Sequence, residues 1–196
     1  LAATIRYVKS KLRSKRDVFL SWDEWNIWYK DRQMDGRWAE APHLIEEVYN
    51  LEDAVVAAQW MSVFLRRCDV LKIACLAQIV NVIAPILTNS EGLLRQSTFF
   101  PFMLFSRYAS GDSLDPLVVA PTHTTRQFGE VPLLDVSASR DPETGESAIF
   151  MVNRSLDTPL ETEVRWQGQA PARIRALYRV TGTDPKAFNT FESPDA

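Results

Sequence analysis

Two adjacent carboxylates, Asp23 and Glu24, follow directly on the apolar run Val18–Trp22. A carboxylate at the end of a buried strand can act as a nucleophile, and flat apolar rings stack on a sugar ring and exclude water from it. Both features are present in this stretch, so its residue types suit the cleavage of a glycosidic bond. The aromatic residues around the two carboxylates are Trp22, Trp25, Trp28 and Tyr29.

Strand alternation favours Glu24 over Asp23 as the reactive group. Glu24 stands two residues after Trp22, so these two side chains are expected on one face of the strand, with Asp23 and Trp25 on the other. Asp23 is then expected to anchor neighbouring backbone or a loop. From the residues alone, a structural ion pair at Glu24 is as open an interpretation as catalysis.

The composition excludes several classes of function. The 196 residues are 46% hydrophobic and 24% charged, with a net charge of -3, so the chain has material for a core but no positive excess for binding nucleic acid. No apolar stretch reaches the roughly 20 residues of a membrane span. Cys68 and Cys75 do not have metal-ligand spacing, and we expect reduced, buried thiols in an intracellular, cytoplasmic protein.

The chain is predicted to have two sections. The first alternates helices and continuous apolar strands, which is typical of βαβ units. Its predicted elements are a helix over about 1–15 with a buried apolar stripe, a strand Val18–Trp22, a helix over about 51–67 capped by Asn50 and Asp53, a strand Val70–Leu76 and a helix over about 94–109 kinked at Pro101. After residue 113, short alternating segments predict an antiparallel β-sandwich with strands at 133–137, 147–153, 160–166 and 173–180.

The motif Trp22–Tyr29 resembles the nucleophile motif of glycoside hydrolase family 51, the α-L-arabinofuranosidases. The resemblance implies that residues 1–112 are the last two βα units of a (β/α)8 TIM barrel and that residues 113–196 are a jelly-roll-like C-terminal β-sandwich, which we expect to be incomplete. Because a complete barrel takes about 250 residues, we expect a C-terminal portion of a longer protein. The resemblance covers nearly the whole chain, with further blocks at 41–54, 72–86, 95–102, 106–108, 152–155 and 188–192.

The same resemblance implies roles for three residues. Glu24, after strand seven of the barrel, is the expected nucleophile; Gln78, after strand eight, is expected to contact arabinose; and Trp28 is expected beside the sugar. From the residues alone, Gln78 could instead brace its loop and Trp28 could be core packing. Cys75 stands where the family usually has Asn, which puts the local hydrogen bonding in question.

Three further polar residues are interpreted as having no part in the chemistry. Asn81 is taken as structural, and His43 and His123 as surface or packing residues. The family needs neither a metal nor an organic cofactor. Its acid/base glutamate belongs to an Asn-Glu pair that no residue here matches, so these 196 residues alone are expected to be inactive.

The implied activity is the retaining removal of terminal α-L-arabinofuranosyl residues from arabinan- or arabinoxylan-type oligosaccharides. Two alternatives stay open: another retaining specificity on the same scaffold, such as an endoglucanase or xylosidase, and a catalytically incomplete carbohydrate-binding remnant. The expected partners are arabinose-containing oligosaccharides and further copies of the protein in a trimer or hexamer, with no nucleic acid and no membrane.

Overall fold

The computed structural model describes residues 1–29, 40 and 45–195. His43 lies outside these residues. Within them, no helix is long and apolar enough to cross a membrane. The elements in chain order are α1 (Ala2–Lys11), β1 (Leu20–Trp25), α2 (Leu51–Arg66), β2 (Leu71–Leu76), β3 (Ile86–Thr88), β4 (Leu93–Arg95), α3 (Phe99–Tyr108), β5 (Asp112–Leu114), β6 (Thr122–Thr125), β7 (Gly129–Pro132), β8 (Leu134–Arg140) and β9 (Ser147–Asn153).

Strands β1 and β2 are parallel neighbours joined through α2. Leu20 pairs with Leu71 and Trp25 pairs with Leu76, so the two strands end at the same edge. The predicted parallel pairing is confirmed. The strand lies later in the chain than the predicted Val18–Trp22, because its pairing with β2 runs from Leu20 to Trp25. Glu24 is therefore the penultimate residue of β1 and does not follow it.

Helix α2 begins with a reciprocal cap and contributes much of the core. Asn50 accepts from the amide of Asp53, and Asp53 accepts from the amide of Asn50, as predicted for this N-terminus. One face of the helix packs on Trp25, whose ring meets Phe64 edge to face with centroids 5.1 Å apart. The buried core cluster consists of Trp25, Ala57, Met61 and Phe105.

Helix α1 does not bury the apolar stripe that its sequence predicts. It ends at Lys11, short of the expected residue 15, and none of its residues is buried. Leu12, at its C-terminus, is 70% exposed. Burial of a helix stripe requires an opposing apolar surface, and the described part of the chain supplies none that covers it.

Residues 86–95 form a hairpin where a loop and the start of a helix were expected. β3 and β4 are antiparallel, and Asn89 Oδ1 accepts from the amides of Glu91 and Gly92 in the turn. Helix α3 begins only at Phe99, which places Pro101 in its first turn. The predicted kink is therefore wrong, since the amide that proline lacks has no helical partner at that position.

The C-terminal section contains a three-stranded antiparallel sheet in the order β5-β8-β9 and a separate hairpin of β6 and β7. The strands expected near 133–137 and at 147–153 are confirmed as β8 and β9. No strand forms at 160–166 or 173–180 within the described residues, where every residue except the half-buried Leu160 is exposed. An alternating pattern specifies one apolar face, but a strand also needs a neighbour to complete its hydrogen bonds.

The C-terminal sheet packs against α2 and α3. Phe150 of β9 stacks on Phe105 of α3 with ring centroids 3.9 Å apart. Farther along the chain, the carbonyl of Ala187 accepts from the amide of Leu51 at 2.9 Å. The C-terminal segment therefore returns to the first turn of α2.

Candidate active site

Glu24, Gln78 and Trp28 belong to segments that meet at the carboxyl edge of β1 and β2. The amide of Ala77, just past β2, donates to the carbonyl of Trp25 at 3.1 Å, which continues the ladder beyond the strands. Gln78 directly follows Ala77, which is bonded to Trp25, the residue after Glu24. Gln78 therefore lies next to the end of β1. Glu24 and Gln78 are exposed, and Trp28 is 45% exposed.

The two carboxylates differ in their contacts. Ser21 Oγ donates to Asp23 Oδ1 at 2.5 Å. Glu24 has no hydrogen bond or ion pair to any residue that the structure describes. Both carboxylates are exposed, so the hydrogen bond from Ser21 to Asp23 is what distinguishes them.

The expected alternation of side chains along β1 is wrong at its end. Trp22 and Trp25 were assigned to opposite faces, but both rings contact Phe64 of α2, with centroids 6.0 and 5.1 Å away. The register between β1 and β2 is irregular between Trp22 and Trp25, and such a bulge shifts the faces that follow it. Preference for Glu24 over Asp23 therefore rests on contacts and not on alternation.

Asn26 ties the end of β1 to the segment after β2. Its Nδ2 donates to the carbonyl of Ala77 at 3.1 Å and to the carbonyl of Ile83. Its Oδ1 accepts from the amide of Ile27 at 2.8 Å. One half-buried side chain thus fixes three backbone groups beside Glu24.

The segment after β2 has an unusual backbone. Asn81 and Ile83 have φ of 64° and 40°, in the left-handed region that side chains other than glycine seldom adopt. The peptide bond between Ala77 and Gln78 is cis. Asn81 Oδ1 accepts from the amide of Thr88 at 2.7 Å, a contact that agrees with its interpretation as structural.

The backbone on either side of Trp28 is held by polar side chains. Tyr49 Oη donates to the carbonyl of Ile27 at 2.6 Å. The amide of Tyr29 donates to Glu47 Oε1 at 3.0 Å. Because both neighbours of Trp28 are anchored, the backbone that carries its indole is held in place.

Behind these contacts lies a buried amide, Gln96. Its Oε1 accepts from the amide of Tyr49 at 2.9 Å, and its Nε2 donates to the carbonyls of Glu47 and Ala84 at 3.0 and 2.6 Å. Burial raises the pKa of the Tyr49 phenol above its ordinary value, and the carboxylates of Glu47 and Asp53 raise it further. Tyr49 therefore stays a neutral hydrogen-bond donor.

Sequence reasoning missed Asn26, Tyr49, Glu47 and Gln96 as parts of this region. All four fall inside segments that carry the family resemblance. Hydrophobic periodicity does not indicate buried polar residues, so the resemblance was the one signal that could have found them.

The cysteines and the remaining histidine lie away from these contacts. Cys68 and Cys75 are free, as predicted, but both are exposed, so the expectation of buried thiols is wrong. Cys75 alternates with Ala74 and Leu76, which pack toward the core cluster, so the thiol lies on the opposite face of β2. His123 is exposed in β6.

Comparison with known proteins places these features in a family. Residues 23–196 match the model of the α-L-arabinofuranosidase C-terminal domain. The chain is 40% identical over 193 residues to an intracellular exo-α-(1→5)-L-arabinofuranosidase 1 from Bacillus subtilis, covering 96% of this chain and 38% of that protein. It is 44% identical over 201 residues to an exo-α-(1→6)-L-arabinofuranosidase from Bifidobacterium longum, covering 98% of this chain and 38% of that protein.

A solved structure agrees with the sequence relatives. A family 51 α-L-arabinofuranosidase from Bifidobacterium longum superposes with a TM-score of 0.84 at 34% identity, covering 96% of this chain and 38% of that one. The chain thus spans about two fifths of the length of these relatives. It belongs to the α-L-arabinofuranosidases of glycoside hydrolase family 51 and corresponds to their C-terminal portion.

Proposed function

We propose that this chain supplies the nucleophile side of the active site of a retaining, exo-acting α-L-arabinofuranosidase. The observation that carries the proposal is the state of Glu24, which is exposed and unengaged by any described residue at the edge shared by β1 and β2. The names of the relatives, which include intracellular exo-α-(1→5)- and exo-α-(1→6)-L-arabinofuranosidases, support the sugar and the exo mode. They also support an intracellular location.

In the proposed reaction, a Glu24 carboxylate oxygen attacks the anomeric carbon of a terminal arabinofuranosyl residue. The bond from that carbon to the leaving oxygen breaks, and a protonated carboxyl outside this chain gives its proton to that oxygen. The same carboxyl then takes a proton from water, which attacks the anomeric carbon and frees Glu24. A retaining mechanism places the two carboxyls about 5–5.5 Å apart.

Two further side chains are assigned to substrate. The exposed amide of Gln78 is suited to hydrogen bonding with sugar hydroxyls, because it offers donors and an acceptor. The indole of Trp28, held between two anchored residues, is suited to pack on the sugar. The substrates proposed are terminal arabinofuranosyl groups of arabinan- or arabinoxylan-type oligosaccharides.

The proposed scaffold is the one implied by the family. β1, α2, β2 and the helices around them, within residues 1–112, form the last two βα units of a (β/α)8 barrel. The sheet of β5, β8 and β9 belongs to a C-terminal β-sandwich, which comprises residues 113–196. Asp112, the first residue of β5, lies just before this range. Ile73 of β2 is 53% exposed, and parallel strands are ordinarily covered on both faces, which supports further strands and helices beside this unit in the whole protein.

The test uses the full-length protein that contains this chain, assayed on nitrophenyl glycosides of α-L-arabinofuranose, β-D-xylose and β-D-glucose. We expect turnover of the arabinofuranoside above the other two. Glu24→Gln should lower turnover by about 10³-fold or more, because no other group can replace a nucleophile. Asp23→Asn, which keeps an acceptor for Ser21, is the matched control and should retain most activity.

The alternatives give different results in the same assay. A carbohydrate-binding remnant would bind arabinose without turnover of any glycoside. Another retaining specificity would favour the xyloside or the glucoside. Near-normal activity of Glu24→Gln would exclude the role proposed for this residue.

A further inference from the structure

We propose that Asn26 is a positioning residue, which holds the segment that carries Gln78 against the strand that carries Glu24. The proposal rests on the function proposed above, in which both residues face the same sugar. Asn26 is two residues after Glu24 and reaches across to the carbonyls of Ala77 and Ile83. Ala77 directly precedes Gln78 in the chain, and Ile83 follows it by five residues.

All the polar groups of the Asn26 side chain are engaged with backbone. Nδ2 makes two donor contacts, and Oδ1 accepts from the amide of Ile27. An asparagine amide has two donor hydrogens and one acceptor oxygen, so none of its donors is left for a sugar. Asn26 is therefore assigned to act through the backbone groups that it orients.

The segment that Asn26 holds needs external support. Ile83 has φ of 40°, and a β-branched residue rarely occupies this region. Its amide donates to the carbonyl of Ile45 at 2.6 Å, and its carbonyl accepts from the amide of Gln78 at 3.3 Å as well as from Asn26. The backbone of Gln78 and the side chain of Asn26 thus share one acceptor.

This shared acceptor predicts how the two residues depend on each other. Without the Asn26 amide, the backbone hydrogen bonds of Ile83 to described residues are those with Ile45 and Gln78, and Ile83 can relax away from its disfavoured conformation. The position of Gln78 then shifts relative to Glu24. A displacement of about 1 Å in a catalytic site can cost on the order of 100-fold in rate.

The test is a double-mutant cycle in the full-length enzyme with a nitrophenyl arabinofuranoside. Asn26→Ala should lower kcat/KM by about tenfold or more in the wild-type background, but by less than about threefold in the Gln78→Ala background, because the residue it positions is already gone. Asn153→Ala is the matched control. The Asn153 amide donates to the carbonyl of Thr158 at 2.9 Å, at the end of β9, and its loss should leave kcat/KM within about twofold.

Equal effects of Asn26→Ala in the two backgrounds would overturn the proposal, as would an Asn26→Ala enzyme within about twofold of wild type. If Asn26→Ala does not fold, the cycle is run with Asn26→Asp, which keeps the acceptor for the Ile27 amide and removes both donors. The same non-additivity is expected. A wild-type enzyme without turnover of the arabinofuranoside would instead refute the proposed function itself.

Discussion

Asp23 and Glu24 are neighbouring carboxylates with different surroundings. The hydroxyl of Ser21 donates to Asp23, and this hydrogen bond engages one of the lone pairs of the carboxylate. Glu24 is exposed and has no such partner among the described residues. At the scale of single residues, contact with the rest of the protein therefore separates the candidate nucleophile from its neighbour.

The role of Trp28 can be separated from that of Trp22, since the two are exposed to similar extents, 45% and 41%. Trp28→Ala in the full-length enzyme should lower kcat/KM by about five- to tenfold, because an aromatic contact contributes about 0.5–1.5 kcal/mol beyond buried area. Trp22 packs on Phe64, so Trp22→Ala should reduce the melting temperature and leave kcat/KM within about twofold. Equal loss of activity in both variants would contradict the assignment of Trp28.

The family resemblance, in the motif around Glu24 and in the block at 72–86, was enough to nominate Glu24, Trp28 and Gln78 from sequence. It was not enough to show how they are held. Asn26 and Gln96 act on backbone groups as distant in sequence as Ile83 and Glu47. A hydrogen bond of this kind depends on the path of the chain in three dimensions, which neither periodicity nor residue type records.

At the scale of elements, the start of α2 is joined to the candidate site through Tyr49. This residue precedes the cap Asn50 and donates to the carbonyl of Ile27. Its amide is held by Gln96, and Ser97 Oγ donates to the carbonyl of Asn50 at 2.5 Å. The helix that supports the core thus also supports the segment of Trp28.

The raised pKa of Tyr49 predicts a loss of stability at high pH. Burial raises the pKa in the folded protein, so above the ordinary value of about 10 the unfolded chain loses a proton that the folded chain keeps. The contribution of the protonated Tyr49 phenol to the free energy of unfolding is fully present below that value. It is lost as the pH rises above it. Denaturant unfolding from about pH 8 to 11 should show a steeper decline of the free energy of unfolding for wild type than for Tyr49→Phe.

The comparison with Tyr49→Phe removes the effect of other tyrosines. The pKa of Tyr108 is also raised, chiefly by its hydrogen bond with Tyr178, and this contribution is common to both proteins. Parallel pH dependences of wild type and Tyr49→Phe would show that the Tyr49 phenol titrates alike in the folded and unfolded chains.

Elements were predictable from sequence where local signals agreed with tertiary contacts. The cap at Asn50, the strand β2 and the strand β9 are such cases, since each has its expected partner. The helix expected from residue 94 instead begins at Phe99, because β4 pairs with β3 first. Cross-strand pairing, as of Ile86 with Arg95, is not recorded by helical periodicity, and it overrode the apolar pattern of that segment.

At the scale of the whole molecule, Asp135 joins α2 to the C-terminal sheet. Its carboxylate, 9% exposed, lies 2.9 Å from Arg66 of α2 and 3.3 Å from Arg154, just after β9. Arg154 Nε also donates to Gln59 of α2 at 2.6 Å. The two sections of the chain are thus connected by charge as well as by the stacked Phe105 and Phe150.

Removal of this carboxylate should destabilise the protein. Asp135→Ala leaves two partly buried arginines without their shared partner, and we expect a loss of about 2–4 kcal/mol in the free energy of unfolding. Asp157→Ala, at an exposed aspartate with no ion pair to a described residue, should change it by less than about 0.5 kcal/mol. Denaturant titration of the full-length protein measures both, and a negligible effect of Asp135→Ala would contradict the role of this contact.

The larger architecture could be predicted only through family resemblance. The parallel pair β1 and β2 is visible in the sequence as two apolar runs, but the apolar stripe of α1 remains uncovered in the described chain. Burial patterns in a sequence report the whole protein, and this chain spans about two fifths of its relatives' length. The apolar pattern of α1 therefore predicts burial, although its side chains are not buried in this chain.

The central claim is that Glu24 bonds covalently to the anomeric carbon of an arabinofuranosyl group. The direct measurement is trapping of the full-length enzyme with a fluorinated or aziridine-type arabinofuranose mimic, followed by digestion and peptide mass mapping. We expect one label per active site, on Glu24, and no label on the Glu24→Gln variant. A label on Asp23 or on any other side chain would contradict the account.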